Sequence, residues 1–305
     1  MSPVIDRRQA GSRSSRRAQI ETEAAVHDTN GGVDVESNKG VAARGAVAHL
    51  RDVGRLGPAV TRVTVEVLGP VQVTGSASSL EHSPKLTELV VYLSLHAGGA
   101  TPDALSAALW PDRRVPMTTF SNRLSEARMA LGVASDGNAH LRKRNGRYLL
   151  SPEVTTDWER FDSLQARQGD VSAWRHALSL VRGRPFDGLR EAQWTVLEGV
   201  VPAMEAAVVE LACRVGRVLL EAGDGSGADA SARRAILACP WDERLYRLLM
   251  RAADVSGNRS GIEAALRQLA RVFDGEESDP LAVVHSTTAN LYRELTSARR
   301  IPRAM

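Results

Sequence analysis

The 305-residue sequence has few of the residues on which most enzymes and disulfide-stabilised proteins depend. Only two cysteines occur, Cys213 and Cys239, and no C-x-x-C spacing is present, which argues against a disulfide framework or a cysteine zinc site. The seven histidines are scattered, and G-x-S-x-G, H-E-x-x-H and glycine-rich phosphate loops are all missing. We therefore expect a protein that is not an enzyme and that needs no cofactor and no metal.

Long apolar runs are missing as well. No stretch approaches the roughly 18 apolar residues of a membrane-spanning helix, so we expect no membrane partner. The arginines near the N-terminus precede no apolar segment, so a secretory signal is not expected and the cytoplasm is the expected location. The net charge of +3 is too small to indicate a nucleic-acid partner by itself, and a basic surface would have to be local.

Residues 1–60 are predicted to be a disordered tail. They are rich in Gly, Ser, Ala and Arg, with nine basic and seven acidic residues and no sustained apolar period. Two interpretations of the tail arginines remain open, a solvated segment and contact with DNA phosphates.

Residues 61–152 predict a winged helix-turn-helix, an α+β fold of two strands, three helices and a hairpin. Alternating valines indicate two strands joined at Gly69-Pro70, and Ser83 precedes a first helix. Thr101 followed by Pro102 marks the start of a second helix, and a third begins at about Thr118. Strand-like runs flank Asn145-Gly146, a dipeptide typical of a two-residue hairpin turn.

Basic residues are concentrated in this segment, with eight between Arg113 and Arg147 against two acids. Asn and Arg make paired contacts to base edges, so Asn122 and Arg123 are the best candidates for reading the major groove, with Arg128 on phosphate. The basic hairpin is expected along the minor groove or on phosphates. The predicted DNA-binding residues are Thr118, Asn122, Arg123, Ser125, Arg128, Arg142, Lys143, Arg144 and Arg147.

Residues 153–300 predict an all-α domain. Helical segments are expected over 161–165, 171–181, 193–222, 228–238, 243–255 and 261–273. A 34-residue spacing relates Leu211 to Leu245 and Arg217 to Arg251, which is the period of tetratricopeptide repeats. A plain helical bundle is the alternative.

A family resemblance rests on motifs in a fixed order over roughly residues 61–298. The motifs are Leu86–His96 (LTELVVYLSLH), Leu105–Pro111 (LSAALWP), Ala127–Gly132 (ARMALG), Gly146–Leu150 (GRYLL), Asp157–Phe161 (DWERF), Leu180–Phe186 (LVRGRPF) and Asp242–Met250 (DERLYRLLM). Together they resemble an actinobacterial transcriptional activator of the antibiotic-regulatory-protein type. Such proteins join an OmpR-like winged helix to a bacterial transcriptional activator domain of tetratricopeptide-like helices. With no G-x-x-x-x-G-K-[ST] loop and no spanning stretch, the chain resembles the smallest form of that family.

The resemblance implies promoter binding to double-stranded DNA and contact with RNA polymerase, and a homodimer is possible. The chain departs from the family at Glu126 and Met129, where a basic residue is usual or frequent. Phosphates would repel the Glu126 carboxylate in the DNA groove, so either the target sequence is unusual or DNA binding is weak. The competing interpretation is therefore a helical-repeat scaffold for another protein, with a weak or vestigial winged helix.

Overall fold

A computed structural model describes residues 62–80, 82–189, 192–274 and 279–297. The predicted tail over residues 1–60 lies outside these residues. All of the described residues fall in one compact unit, Val53–Met305. Within them, five short strands and eleven helices occur, so the described chain is mostly helical.

The first sheet contains one strand that the sequence did not predict. Strand β1 (Thr64–Glu66) pairs antiparallel with β2 (Gln72–Thr74), as the alternating valines predicted. Strand β5 (Thr155–Thr156) adds to the other edge of β1 in parallel, giving the order β2-β1-β5. β5 was missed because two residues show no alternation that a sequence could reveal.

Three helices follow where they were predicted: α1 (Pro84–Leu95), α2 (Pro102–Leu109) and α3 (Met117–Leu131). The Thr101 hydroxyl accepts a hydrogen bond from the Ala104 N–H, so the predicted cap of α2 is confirmed. Ser83 stands at the predicted N-cap of α1 but makes no side-chain cap hydrogen bond. Gly132 ends α3 with φ +78°, a conformation that favours glycine.

The predicted hairpin is confirmed as β3 (Leu141–Arg144) and β4 (Arg147–Leu150). Asn145 and Gly146 form its two-residue turn with φ values of +50° and +76°. Positive φ at both central residues is the requirement of a type I′ turn, whose twist matches the flanking strands.

The rest of the chain is helical. The helices are α4 (Asp157–Gln165), α5 (Val171–Ser179), α6 (Trp194–Leu197), α7 (Val200–Glu221), α8 (Gly225–Ile236), α9 (Glu243–Val255), α10 (Arg259–Asp274) and α11 (Ser286–Ser297). The expectation of one helix over 193–222 is wrong, because Gly199 adopts φ +71° and separates α6 from α7. Helix α11 was not among the predicted segments. No helix of the described residues has the length and apolar character needed to cross a membrane.

Helices α7 to α10 pack in chain order, each against the next, as the 34-residue period predicts for stacked helix pairs. Leu211 of α7 and its counterpart Leu245 of α9 are both fully buried. Helices α7 and α9 approach closely at Gly216, where a Cβ atom would lie 2.4 Å from Leu248 Cδ2. Only glycine therefore fits there without displacement of Leu248.

Asp157, the first residue of α4, links the helical part to the first sheet. Its carboxylate accepts hydrogen bonds from the backbone N–H groups of Val67 (2.7 Å) and Leu68 (3.0 Å). Burial raises the pKa of Asp157, while these two donors and Arg182 act in the opposite direction. The predicted domain boundary at 152/153 remains a prediction, and β5 and Asp157 make contacts across it.

We expect Asp157→Ala to lower the free energy of unfolding by about 2–5 kcal/mol, because two buried N–H groups lose their acceptor. Asp162→Ala is the matched control, since Asp162 lies exposed on the same helix and should cost about 0.5 kcal/mol or less. Urea unfolding of both variants measures the difference, and an equal effect would show that the Asp157 contacts contribute nothing.

Candidate nucleic-acid interface

Helix α3 presents a polar face beside its buried stripe. Phe120, Leu124 and Ala127 are buried, whereas Thr118 and Asn122 are exposed. Among the described residues, the Asn122 side chain has no hydrogen-bond partner, so both its amide donor and its acceptor are available. This is the hydrogen-bonding pattern that pairs with an adenine edge.

Arg123 and Glu126 form an ion pair on the same helix, one turn apart. Arg123 Nη1 donates to Glu126 Oε2 at 2.7 Å, and each side chain is 42% exposed. The Glu126 carboxylate is therefore partly compensated by its own helix rather than isolated. One N–H donor of Arg123 is used in this ion pair, whereas all hydrogen-bonding groups of the Asn122 side chain remain available for a base.

Two other predicted residues of α3 make local contacts. Ser125 is exposed, and its hydroxyl donates to the Ser121 carbonyl. Arg128 Nε donates to the Leu141 carbonyl at 3.1 Å, which joins α3 to the first strand of the hairpin. Arg128 thus positions the hairpin relative to the helix, in addition to any contact with phosphate. Met129, beside it, is 71% exposed.

The hairpin register divides its basic residues between two faces. Arg144 pairs directly with Arg147, and Lys143 pairs with Tyr148. Because side chains alternate along a strand, Arg142, Arg144 and Arg147 lie on one face and Lys143 on the other. Of the four hairpin residues that the sequence predicts to contact DNA, Lys143 therefore lies on the opposite face from the other three.

The four residues also differ in how they are engaged. Arg142 pairs with Asp136 at 3.0 Å, and Lys143 Nζ lies 5.3 Å from the Tyr148 ring centroid. Hydrogen bonds from Asn138, and then Arg142, hold the pKa of Asp136 below its ordinary value. Arg147 Nε donates to the Gly98 carbonyl at 3.3 Å. Arg144 is exposed and has no polar partner among the described residues.

Two further basic residues were missed as site candidates. Arg113 and Arg114 lie exposed in the loop between α2 and α3, immediately before the polar helix. Neither side chain makes a hydrogen bond to a described residue. Their charges were counted in the sequence, and their position shortly before the predicted third helix was the signal that could have named them.

A buried polar pair fixes the base of the hairpin. His140 Nδ1 and Ser151 Oγ lie 2.7 Å apart, and both residues are buried. The Ser151 N–H also donates to the His140 carbonyl at 2.8 Å. On the adjoining edge, Ala100 and Tyr148 exchange two backbone hydrogen bonds of 2.8 Å. These contacts close the base of the hairpin and join its second strand to Ala100, just before α2.

Of the comparisons with known proteins, one concerns the helical part and the other covers most of the chain. Residues 156–295 match the family model described as Bacterial transcriptional activator domain. Among solved structures, Mycobacterium tuberculosis EmbR in complex with a low affinity phosphopeptide is similar, with a TM-score of 0.56 and 24% sequence identity. The similarity covers 79% of this chain and 66% of the EmbR chain. No curated protein matches the chain.

The chain spans about two thirds of the length of the EmbR structure. At 24% identity that similarity establishes a shared fold. The domain match supports a transcriptional activator of the type that the sequence motifs resemble, and it starts at Thr156, beside the carboxylate that contacts β1.

Proposed function

We propose that this protein is a transcriptional activator, without enzymatic activity, that binds double-stranded DNA through a winged helix-turn-helix formed by α1–α3 and the β3–β4 hairpin. The observation that carries the proposal is the exposed polar face of α3 beside a hairpin with three arginines on one face. A helix in the major groove and a basic hairpin along the flanking backbone are the two contacts of this motif.

The facing pair Arg144 and Arg147 supports the proposal on energetic grounds. Like charges directly opposite each other destabilise a two-stranded ladder, and the two exposed side chains contribute little to the core. A phosphate between or beside them would remove this repulsion. Arg113 and Arg114 add two exposed positive charges just before the N-terminus of α3.

Within this proposal Asn122 reads a base, with Thr118 and Ser125 beside it. Arg128, Arg142, Arg144 and Arg147 contact phosphates, and Lys143 approaches from the opposite face of the hairpin. Arg123 reaches DNA while paired with Glu126, so Glu126 orients the guanidinium and lowers the net charge of the helix. Discrimination between DNA sequences then depends on the Asn122 contact with a base, while the arginine contacts with phosphates supply affinity for any duplex.

The helical part would supply activation. The match over residues 156–295 supports a role in transcription, and we propose that this part contacts RNA polymerase or a partner and carries any homodimer contact. A cytoplasmic location follows from that role.

A second candidate function is a protein-interaction scaffold with a weak winged helix. Met117 and Met129 of α3 are 69% and 71% exposed, which is unusual on a DNA-reading face and typical of adaptable protein contacts. Glu126 and Asp136 also form ion pairs with Arg123 and Arg142, which reduces the positive charge that these two arginines offer to DNA. The DNA titrations below distinguish the two functions.

Replacing Arg144 and Arg147 together by Ala should weaken binding to any duplex and lower the salt slope by about two, one for each lost phosphate contact. Fluorescence anisotropy with a random-sequence duplex at several salt concentrations measures both quantities. The control is Arg175→Ala with Arg259→Ala, two exposed arginines of α5 and α10. Equal affinity and slope in both double variants would contradict the hairpin assignment.

Asn122→Ala should weaken binding to a selected target site by about 1–3 kcal/mol while binding to random duplex stays nearly unchanged. The target site is first obtained by rounds of selection from random duplexes with the wild-type chain. A loss of the same size on random DNA would instead make Asn122 a backbone contact.

A further inference from the structure

A groove between α7 and α9 is lined by four arginines. Arg217 comes from α7, and Arg244, Arg247 and Arg251 come from α9; we call this the arginine groove. Its volume is about 430 Å³, which is within the range of ligand pockets. It lies in the helical part and shares no residue with the candidate DNA interface.

The helical repeat places these arginines together. Arg244, Arg247 and Arg251 are three and four residues apart, so they lie along one face of α9. Arg217 precedes Arg251 by 34 residues, so the two occupy equivalent positions in successive helix pairs. Helical repeats commonly present such surfaces to partners.

Two of the arginines are already engaged. Arg244 pairs with Asp242 at 2.8 Å and also with Glu210. Arg247 Nη1 donates to the Thr288 hydroxyl at 2.8 Å. These contacts fix one end of the groove and need no external anion.

The other two arginines have no such partner. Arg217 and Arg251 are exposed, and neither makes a hydrogen bond or an ion pair with a described residue. Glu221, four residues after Arg217, also lines the groove but forms no ion pair with Arg217. Two guanidinium groups at equivalent positions are thus available for bidentate binding of carboxylates.

The floor of the groove is apolar. The Leu248 side chain packs against Gly216 and is buried, and Cys213 and Leu220 are half-buried. A ligand that matches the groove therefore needs acidic groups at Arg217 and Arg251 and an apolar group between them. A peptide segment carries both.

We propose that the arginine groove binds an acidic segment of a partner protein, with its carboxylates on Arg217 and Arg251 and an apolar side chain over Leu248. Duplex DNA fits less well, because its backbone offers phosphates but no apolar group to pack over Leu248. The proposal does not depend on DNA binding by the winged helix.

The test uses the full chain on an array of random dodecapeptides. Wild-type protein should select peptides rich in Asp and Glu, and Arg217→Gln with Arg251→Gln should weaken binding to the selected peptides about ten- to hundredfold. The matched control, Arg175→Gln with Arg259→Gln, removes two exposed arginines elsewhere and should bind as wild type does. Thermal unfolding verifies that both double variants are folded.

Three outcomes would overturn the proposal. The first is selection of peptides without acidic enrichment, and the second is equal binding by the groove variant. The third is displacement of the selected peptides from the wild type by duplex DNA, together with weaker DNA binding by the groove variant than by the control variant, which would make the groove a nucleic-acid site. The wild type should bind weakly to versions of the selected peptides that carry Asn and Gln in place of Asp and Glu. This measurement uses only the wild-type protein, so it does not depend on whether a variant folds.

Discussion

The carboxylate of Asp157 joins the sheet of the first part of the chain to the helices of the second. It accepts hydrogen bonds from the backbone N–H groups of Val67 and Leu68, which directly follow β1, and β5 pairs with the same strand. Arg182 extends this junction, since its guanidinium lies 3.3 Å from Glu66 and donates to the Pro70 carbonyl at 3.0 Å. A buried acid that satisfies two backbone donors fixes orientation as well as distance.

The candidate DNA interface depends on this junction only indirectly. Its own geometry comes from contacts within residues 100–151: the Arg128 bond to Leu141, the ladder between Ala100 and Tyr148, and the His140–Ser151 pair. The helical part is joined to the first sheet by separate contacts, those of Asp157 and Arg182. That division matches a protein with one surface for DNA and another for a protein partner.

Features encoded by near neighbours in sequence were predicted well. Thr101 and Asn145-Gly146 located a helix start and a turn, because capping and positive φ are local requirements. The contact of Asp157 with residues 90 positions away was not predictable from a single sequence. The placement of Lys143 on the other face of the hairpin from the arginines was not predicted, although the alternation of side chains along a strand indicates it. The Arg123–Glu126 ion pair was not predicted either, although a three-residue spacing on a helix favours such a pair.

Hydrogen–deuterium exchange of the full chain with and without duplex DNA tests the central claim most directly. Our account predicts slower exchange in α3 and in the β3–β4 hairpin when DNA binds, and unchanged exchange in α7 and α9, where the arginine groove lies. Slower exchange confined to α7 and α9, with α3 and the hairpin unaffected, would contradict it.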